Sequence, residues 1–319
     1  MPINNSDFFN FAYEVETTAG TDLATTRLAW PGEVKVWQPR VRYDKETYYG
    51  PDSILAAGMY GIAKHTELHV EYVPFDEFNS GNNSRLALML GSAPNATTGV
   101  ITIGAPRTQT IQFGVDLGTD VYYRMRYGIT KRMEITMEKD AVVKVAEDIM
   151  AISLWGGTDT QATAWAASPA AYTGTPWTHP GTCDWALSGA TITGTVTGGT
   201  IVYERPGLAE IIGVNSSNPV ASSIAAGSTL EASGSLAFVP DDLTAWASFL
   251  TEPNAAEGSF TQTVTLSKNA AAQYALLTFP SSYFTEAEDF LRFDQGSKEP
   301  WERELKWSCA GTITADVRS

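Results

Sequence analysis

The chain has 319 residues, 43% hydrophobic and 11% aromatic with nine tryptophans, a composition that supplies a sizeable core and excludes a globally disordered polypeptide. Its length predicts two domains of roughly 150 residues. Thirty-six acidic residues against 21 basic give a net charge of -15, so the surface repels phosphate and argues against tight binding of nucleic acid or anionic membrane.

The N-terminus, "MPINNSDFFNFAYEVETTAG", has neither a basic n-region nor an apolar h-region, and the longest apolar runs are too short to cross a bilayer. Synthesis in a cytoplasm is expected. Alternation then dominates. In "EVKVWQPRVRY" Val34, Val36, Val41 and Tyr43 share one side and Lys35, Arg40 and Arg42 the other, across an expected bend at Pro39. In "KHTELHVEYV" Leu68, Val70 and Tyr72 alternate with Glu67, His69 and Glu71, which predicts a half-buried strand. "VITIGAPRTQTIQFGVDL" reads as two strands broken at Gly104 to Pro106. In "MEITMEKDAVVKVAEDIM", Met133, Ile135 and Met137 alternate, Glu138 to Asp140 turn the chain, and Val143, Val145 and Ile149 return; this is the clearest hairpin.

From Ala151 to Pro180 the composition shifts to Ala, Thr, Gly, Ser and Pro, predicting a linker at 158–174 between domains at 1–157 and 175–319. Beyond it, Ile192, Val196, Ile201 and Tyr203 alternate, and a Gly, Asn, Pro and Ser-rich stretch runs to Ser228. Asp241 or Asp242 is placed to cap a helix carrying Leu243, Trp246, Phe249 and Leu250 on one face. The tail carries "FTQTVTLSK", "QYALLTFPSSYF" and a turn at Asp294 to Lys298. Cys183 and Cys309 lie far apart, outside any CxxC pattern; two buried free thiols are expected over the alternative of a disulfide between them.

The two halves echo each other. "VRYDK" at Val41 to Lys45 parallels "IVYER" at Ile201 to Arg205. A long irregular insertion follows each, Asp44 to Ala63 and Glu204 to Ser228. Then comes a strand ending in Val73-Pro74 or Val239-Pro240, a helix candidate at Ser84 to Leu90 or Thr244 to Leu250, and a closing hairpin at Met133 to Ile149 or Phe290 to Cys309. Recurrence in one order points to duplication of a β unit.

Little in the chain suggests catalysis. His65 and His69 fall on one strand face with Glu67 and Glu71, yet alternate residues of a strand sit about 6.6 to 6.8 Å apart, so four of them span too far to converge on one ion. No GxSxG elbow, HExxH, P-loop or dinucleotide fingerprint occurs. No catalytic residue, metal or cofactor is expected. The insertions are the more informative feature. Tyr48, Tyr49, Ile54, Leu55, Met59 and Tyr60 stand in the first and Leu208, Ile211 and Ile212 in the second; long loops bearing apolar side chains are expected either to fold back as lids over their own barrels or to make subunit contacts, the latter being favoured.

The opening "YEVETTAGTDLATTRLAWPGEVKVWQP" resembles the start of tail tube proteins of long-tailed phages and archaeal tailed viruses, through the phrase Glu16 to Thr21. The order of strand, long loop, strand, Val-Pro-acid, helix and closing hairpin is similar to their tube module. The resemblance implies a mostly β fold of two tandem β-sandwich or partial-barrel modules, each with a short packing helix and a long loop. It further implies a homo-oligomeric ring, trimeric with pseudo-six-fold symmetry, stacked into the virion tail. The loop residues just named would lie at ring contacts, and Glu67 and Glu71 would face an acidic lumen through which DNA passes without specific binding. Tape measure and tail terminator or tip proteins would be its partners. The second half lacks the Glu-Thr-Thr phrase. A carbohydrate- or host-binding β-sandwich of the virion (baseplate, decoration or adhesin) is the second reading, and a metal-assisted hydrolase using His65 and His69 the third.

Overall fold

A computed structural model describes residues 8–16, 28–49, 56–75, 84–93, 95, 98–116, 120–156, 176–179, 183–190, 192–212, 221–225, 229–242, 258–269, 273–288 and 303–318. The linker at 158–174, the helix expected at 244–250 and the turn at 294–298 lie outside them. The first half holds strands β1 (Phe8–Val15), β2 (Leu28–Ala29), β3 (Gly32–Tyr49) and β4 (Ala56–Pro74), helix α1 (Arg85–Leu90), then β5 (Val100–Ile101), β6 (Gln109–Asp116), β7 (Asp120–Met137), β8 (Ala141–Val142), β9 (Lys144–Ala151) and β10 (Ser153–Gly156). The second half holds β11 (Thr178–His179), β12 (Cys183–Ser188), β13 (Gly194–Glu204), β14 (Ala209–Ile212), β15 (Ala221–Ala225), β16 (Glu231–Pro240), β17 (Phe260–Asn269), β18 (Gln273–Glu288), β19 (Arg303–Cys309) and β20 (Thr314–Arg318). The chain is thus mostly β, and its strand pairs are antiparallel.

Local chemistry explains the elements. Along β7 and β9, Met133, Ile135, Met137, Val145, Glu147, Ile149 and Ala151 are buried while Glu134, Thr136, Ala146, Asp148 and Met150 between them reach solvent, because successive strand side chains point to opposite faces. The tip of this hairpin passes through Asp140 at φ 56, a left-handed turn position that aspartate tolerates. Helix α1 starts at Ser84, whose Oγ accepts from the Ala87 amide at 3.0 Å. It stops at Gly91, φ 98; these are an N-cap serine and a left-handed glycine stop.

Pairing repeats in both halves. In the first, neighbours run β3, β4, β9, β7, β6, β1. In the second they run β13, β16, β19, β18, β17, β12. Taken in chain order, the two sequences of neighbours are the same. β10 then pairs with the early part of β7, and β20 with the early part of β18. Register irregularities repeat as well. β3 slips against β4 between Val34 and Val36, and β13 against β16 between Val196 and Gly198. β7 slips against β9 between Thr130 and Arg132, and β18 against β19 between Phe284 and Glu286. β6 slips at Gln109/Ile111 and β17 at Phe260/Gln262. Bulges are specific local features rather than accidents of pairing, so the shared ones fix which positions of these paired strands correspond between the halves.

The copies are joined rather than separate. Late β7 pairs on its second edge with β13, from Gly199 opposite Met137 to Glu204 opposite Arg132. β20 pairs with β5. One 16-stranded sheet network results, and one buried cluster runs through both copies. In the first copy Trp30, Trp37, Tyr13, Tyr72 and Phe113 pack edge to face; in the second, Trp307 packs against Trp185 and Phe279.

Three expectations change. Pro39 does not bend the chain: it lies within β3 opposite Leu68. Among the described residues β3 pairs only with β4, and an edge strand tolerates proline because a missing amide costs nothing on the open side. The insertions are not irregular loops. Asp44 to Tyr49 pairs with Ala56 to Ala63, extending the β3–β4 hairpin into an arm, and β14 pairs with β15 to form the counterpart. Their Thr, Tyr and Ile content satisfies strand propensity, which turn-residue counting undervalued. The third concerns the Tyr43/Tyr203 echo, which is out of register. With Gly32 opposite Pro74 and Gly194 opposite Pro240, the Val-Pro pairs align as expected, but Tyr203 is equivalent to Val41, and Tyr43 to Arg205. Tyr203 is 0% exposed and Tyr43 58%.

Candidate functional site

Eight consecutive strands, β3, β4, β9, β7, β13, β16, β19 and β18, form one continuous face across both copies. One side of it is core. The other is polar, and its residues line up in cross-strand rows. One row runs Gln38, His69, Asp148, Arg132, Glu204, Glu231. Acids outnumber bases on this side among the described residues: Glu67, Glu71, Glu134, Asp148, Glu204, Glu231, Glu286 and Glu304 against Arg40, Arg42, Lys131, Arg132, Lys144 and Lys306.

Glu67 and Glu71 both lie on this polar side, Glu67 half-buried opposite Arg40 and Glu71 exposed. Between them the His69 imidazole donates at 2.6 Å to Asp148 through Nδ1 and at 3.2 Å to Glu71 through Nε2. Burial pulls its pKa down, but hydrogen bonds and charge from Asp148 and Glu71 outweigh that and hold it above 6.5. A shallow groove of about 360 Å³ follows this row, lined by Gln38, Arg40, Glu67, His69, Arg132, Asp148 and Glu204 among others. Among the described residues no group of three His, Cys, Asp or Glu side chains is placed to hold a metal ion.

The arm residues are placed as follows. Tyr48 and Tyr49 end β3, and Met59 and Tyr60 lie in β4. Ile54 and Leu55 lie outside the described residues. Ile211 and Ile212 belong to β14. Leu208 is buried and packs with Ile129, Tyr127, Met150 and Ile152, so it serves the joint between copies within this chain. Both cysteines are free, Cys183 buried and Cys309 half-buried. Trp30, Trp37, Trp177, Trp185 and Trp307 are all buried.

Two polar clusters were not legible beforehand. Arg85 and Glu147 are an ion pair with 0% side-chain exposure on both sides. Arg85 Nε donates to Glu147 Oε1 at 3.0 Å, Nη2 to Oε2, and Nη1 to Gln109 Oε1 at 2.5 Å. Tyr72 donates to Glu147 at 2.6 Å, and the guanidinium stacks over Trp30 with 4.2 Å to the ring centroid. Burial lowers the Arg85 pKa, and the Glu147 charge more than restores it. The second cluster is Arg205. This residue reaches from the second copy into the first, where Nη2 donates to the carbonyls of Met89 at 2.8 Å and of Leu90 and Gly104 at 3.1 Å. It ties β13 to the C-terminal end of α1, where a cation is favoured.

The strand edges complete the site. Early β18 pairs with β17 and β20, and its later part, Ser282 to Glu288, pairs with β19. Late β7 has in addition β13 on its far side; the equivalent side of late β18 has no partner strand among the described residues, nor has the outer side of β3. Among the described residues the eight-strand antiparallel face therefore has its joint, late β7 with β13, at its middle and edges without a partner strand, on β3 and late β18, at its two ends. No protein-family model matches the chain, and no curated protein matches it in sequence.

Proposed function

We propose that this protein is a tail tube protein of a tailed virus, two tandem tube modules per chain, assembling through copies of itself into rings that stack as the conduit for viral DNA. The repeated strand order and bulges carry the reading: a chain containing two equivalent modules builds a ring of six from three subunits. The polar face supports it. A continuous sheet whose solvent side holds an excess of carboxylates repels phosphate and lets a polyanion pass without counterion-releasing contacts. The β arms extending β3 and β4, and β14 with β15, are suited to stacking contacts; on this reading the protein belongs to the virion tail, with tape measure and tail terminator or tip proteins as partners.

The carbohydrate-binding alternative draws on exposed Trp and Tyr; Trp30, Trp37, Trp177, Trp185 and Trp307 are buried and cannot serve it, while Tyr43 is exposed. Negative-stain microscopy of purified protein tests the proposal. Rings or tubes with six-fold modulation are the expected images; a monomer at all concentrations, binding glycans, would overturn it.

A further inference from the structure

The open edges are not equivalent to each other in charge, and that difference specifies a partner. Inside the chain, Glu204 of β13 stands opposite Arg132 of β7. Shared bulges make Arg42 of β3 the equivalent of Glu204, and Glu286 of β18 the equivalent of Arg132. Both charges are reversed in the second set. We infer that late β18 of one chain pairs antiparallel with β3 of a second copy of this chain, in the register of the internal joint, setting Arg42 opposite Glu286, Val41 opposite Ala287 and Arg40 opposite Glu288. Tyr43, the exposed large hydrophobic residue, then takes the place that Arg205 holds inside the chain, against the neighbouring module.

The reversal also rejects wrong neighbours. Pairing β13 with a β18 would set Glu204 against Glu286, and pairing β3 with a β7 would set Arg42 against Arg132. Like charges directly opposite one another oppose strand pairing, and such repulsion is how specificity is commonly enforced. First and second modules must therefore alternate around any assembly. The inference rests on self-association, which the tube reading shares, but the joint stands or falls separately from the tube.

Cysteines placed at Arg42 and Glu286, in a Cys309→Ser background, are expected to form disulfide-linked multimers of the chain under mild oxidation. Gln38→Cys with Glu286→Cys is the off-register control, displaced by about 13 Å along the strand, and is expected to stay uncrosslinked. Arg42→Glu or Glu286→Arg alone is expected to weaken association roughly five- to thirtyfold in sedimentation, and the double exchange to restore it. Equal crosslinking in the control, or a double exchange no better than either single change, overturns the joint. Crosslinked multimers that never stack into tubes leave the joint standing and sink the tube; tubes without crosslinks do the reverse.

Discussion

Glu147 of β9 is equivalent to Leu305 of β19, so the carboxylate that pairs with Arg85 in the first copy is replaced by an aliphatic side chain in the second. The surroundings change with it: Gln109 corresponds to Phe260, Thr130 to Phe284 and Tyr72 to Phe238. One backbone thus supports either a satisfied ionic cluster or an apolar one. Glu147→Ala is expected to cost about 3–5 kcal/mol, because it leaves a buried cation uncompensated. Arg85→Met with Glu147→Leu is expected to recover most of that loss. Urea unfolding of the three proteins checks it, and additive losses in the double variant would contradict the account.

Arg205 links the two halves through the Met89 and Leu90 carbonyls, which end helix α1, and the Gly104 carbonyl beyond it. Arg205→Ala is expected to destabilise by about 2–4 kcal/mol, since it removes charge-assisted bonds and leaves buried acceptors short of donors. Arg205→Lys is expected to restore little, as an ammonium lacks the planar fork that reaches several oxygens. Equilibrium denaturation compares them, and a fully restored lysine variant would refute the fork.

His69 is raised above 6.5 by Asp148 and Glu71. A group whose folded pKa is raised contributes stability that is complete below the unfolded value and is lost as pH rises through the folded one. Wild type is therefore expected to exceed His69→Gln in stability at pH 5.5, with the gap closing as pH climbs past 6.5. Asp148→Asn is expected to move the imidazole titration downward by NMR. An imidazole that titrates below 6.5 in the wild type would contradict the pairing.

Gly91 closes α1 at φ 98, and a Cβ there would sit 2.4 Å from the Ala105 carbonyl oxygen. Gly91→Ala meets both left-handed strain and backbone collision, so a loss exceeding the ordinary cost of about 1 kcal/mol for that conformation is expected. The midpoint of thermal unfolding reads it; an unchanged midpoint would show that the loop relaxes freely.

Alternating residues revealed most strands, because period two is a local property: Leu68, Val70 and Tyr72 face the core while Glu67, His69 and Glu71 do not. Ser84 and Leu86 to Leu90 revealed α1 in the same way. The arms escaped notice since Gly50 to Ser53 and the Gly, Asn and Ser runs resemble turns more than strands, and hairpin pairing recruits the flanking residues regardless. The buried Arg85 and Arg205 gave no signal, as arginine is ordinarily a surface residue and its burial depends on acceptors brought from distant strands.

Composition and alternation sufficed to establish a β-rich chain, and the Val-Pro pairs marked strand ends that stand at corresponding places in the pairing. They did not set its register: the tyrosine echo pointed two residues away from the true equivalence, because identity of side chains is a weaker constraint than the bulges and hydrogen-bond pairing that position a backbone. Which edges meet, which charges stand opposite and which arginines are buried were decided by long-range pairing alone, since each depends on residues that become neighbours only when the sheet closes.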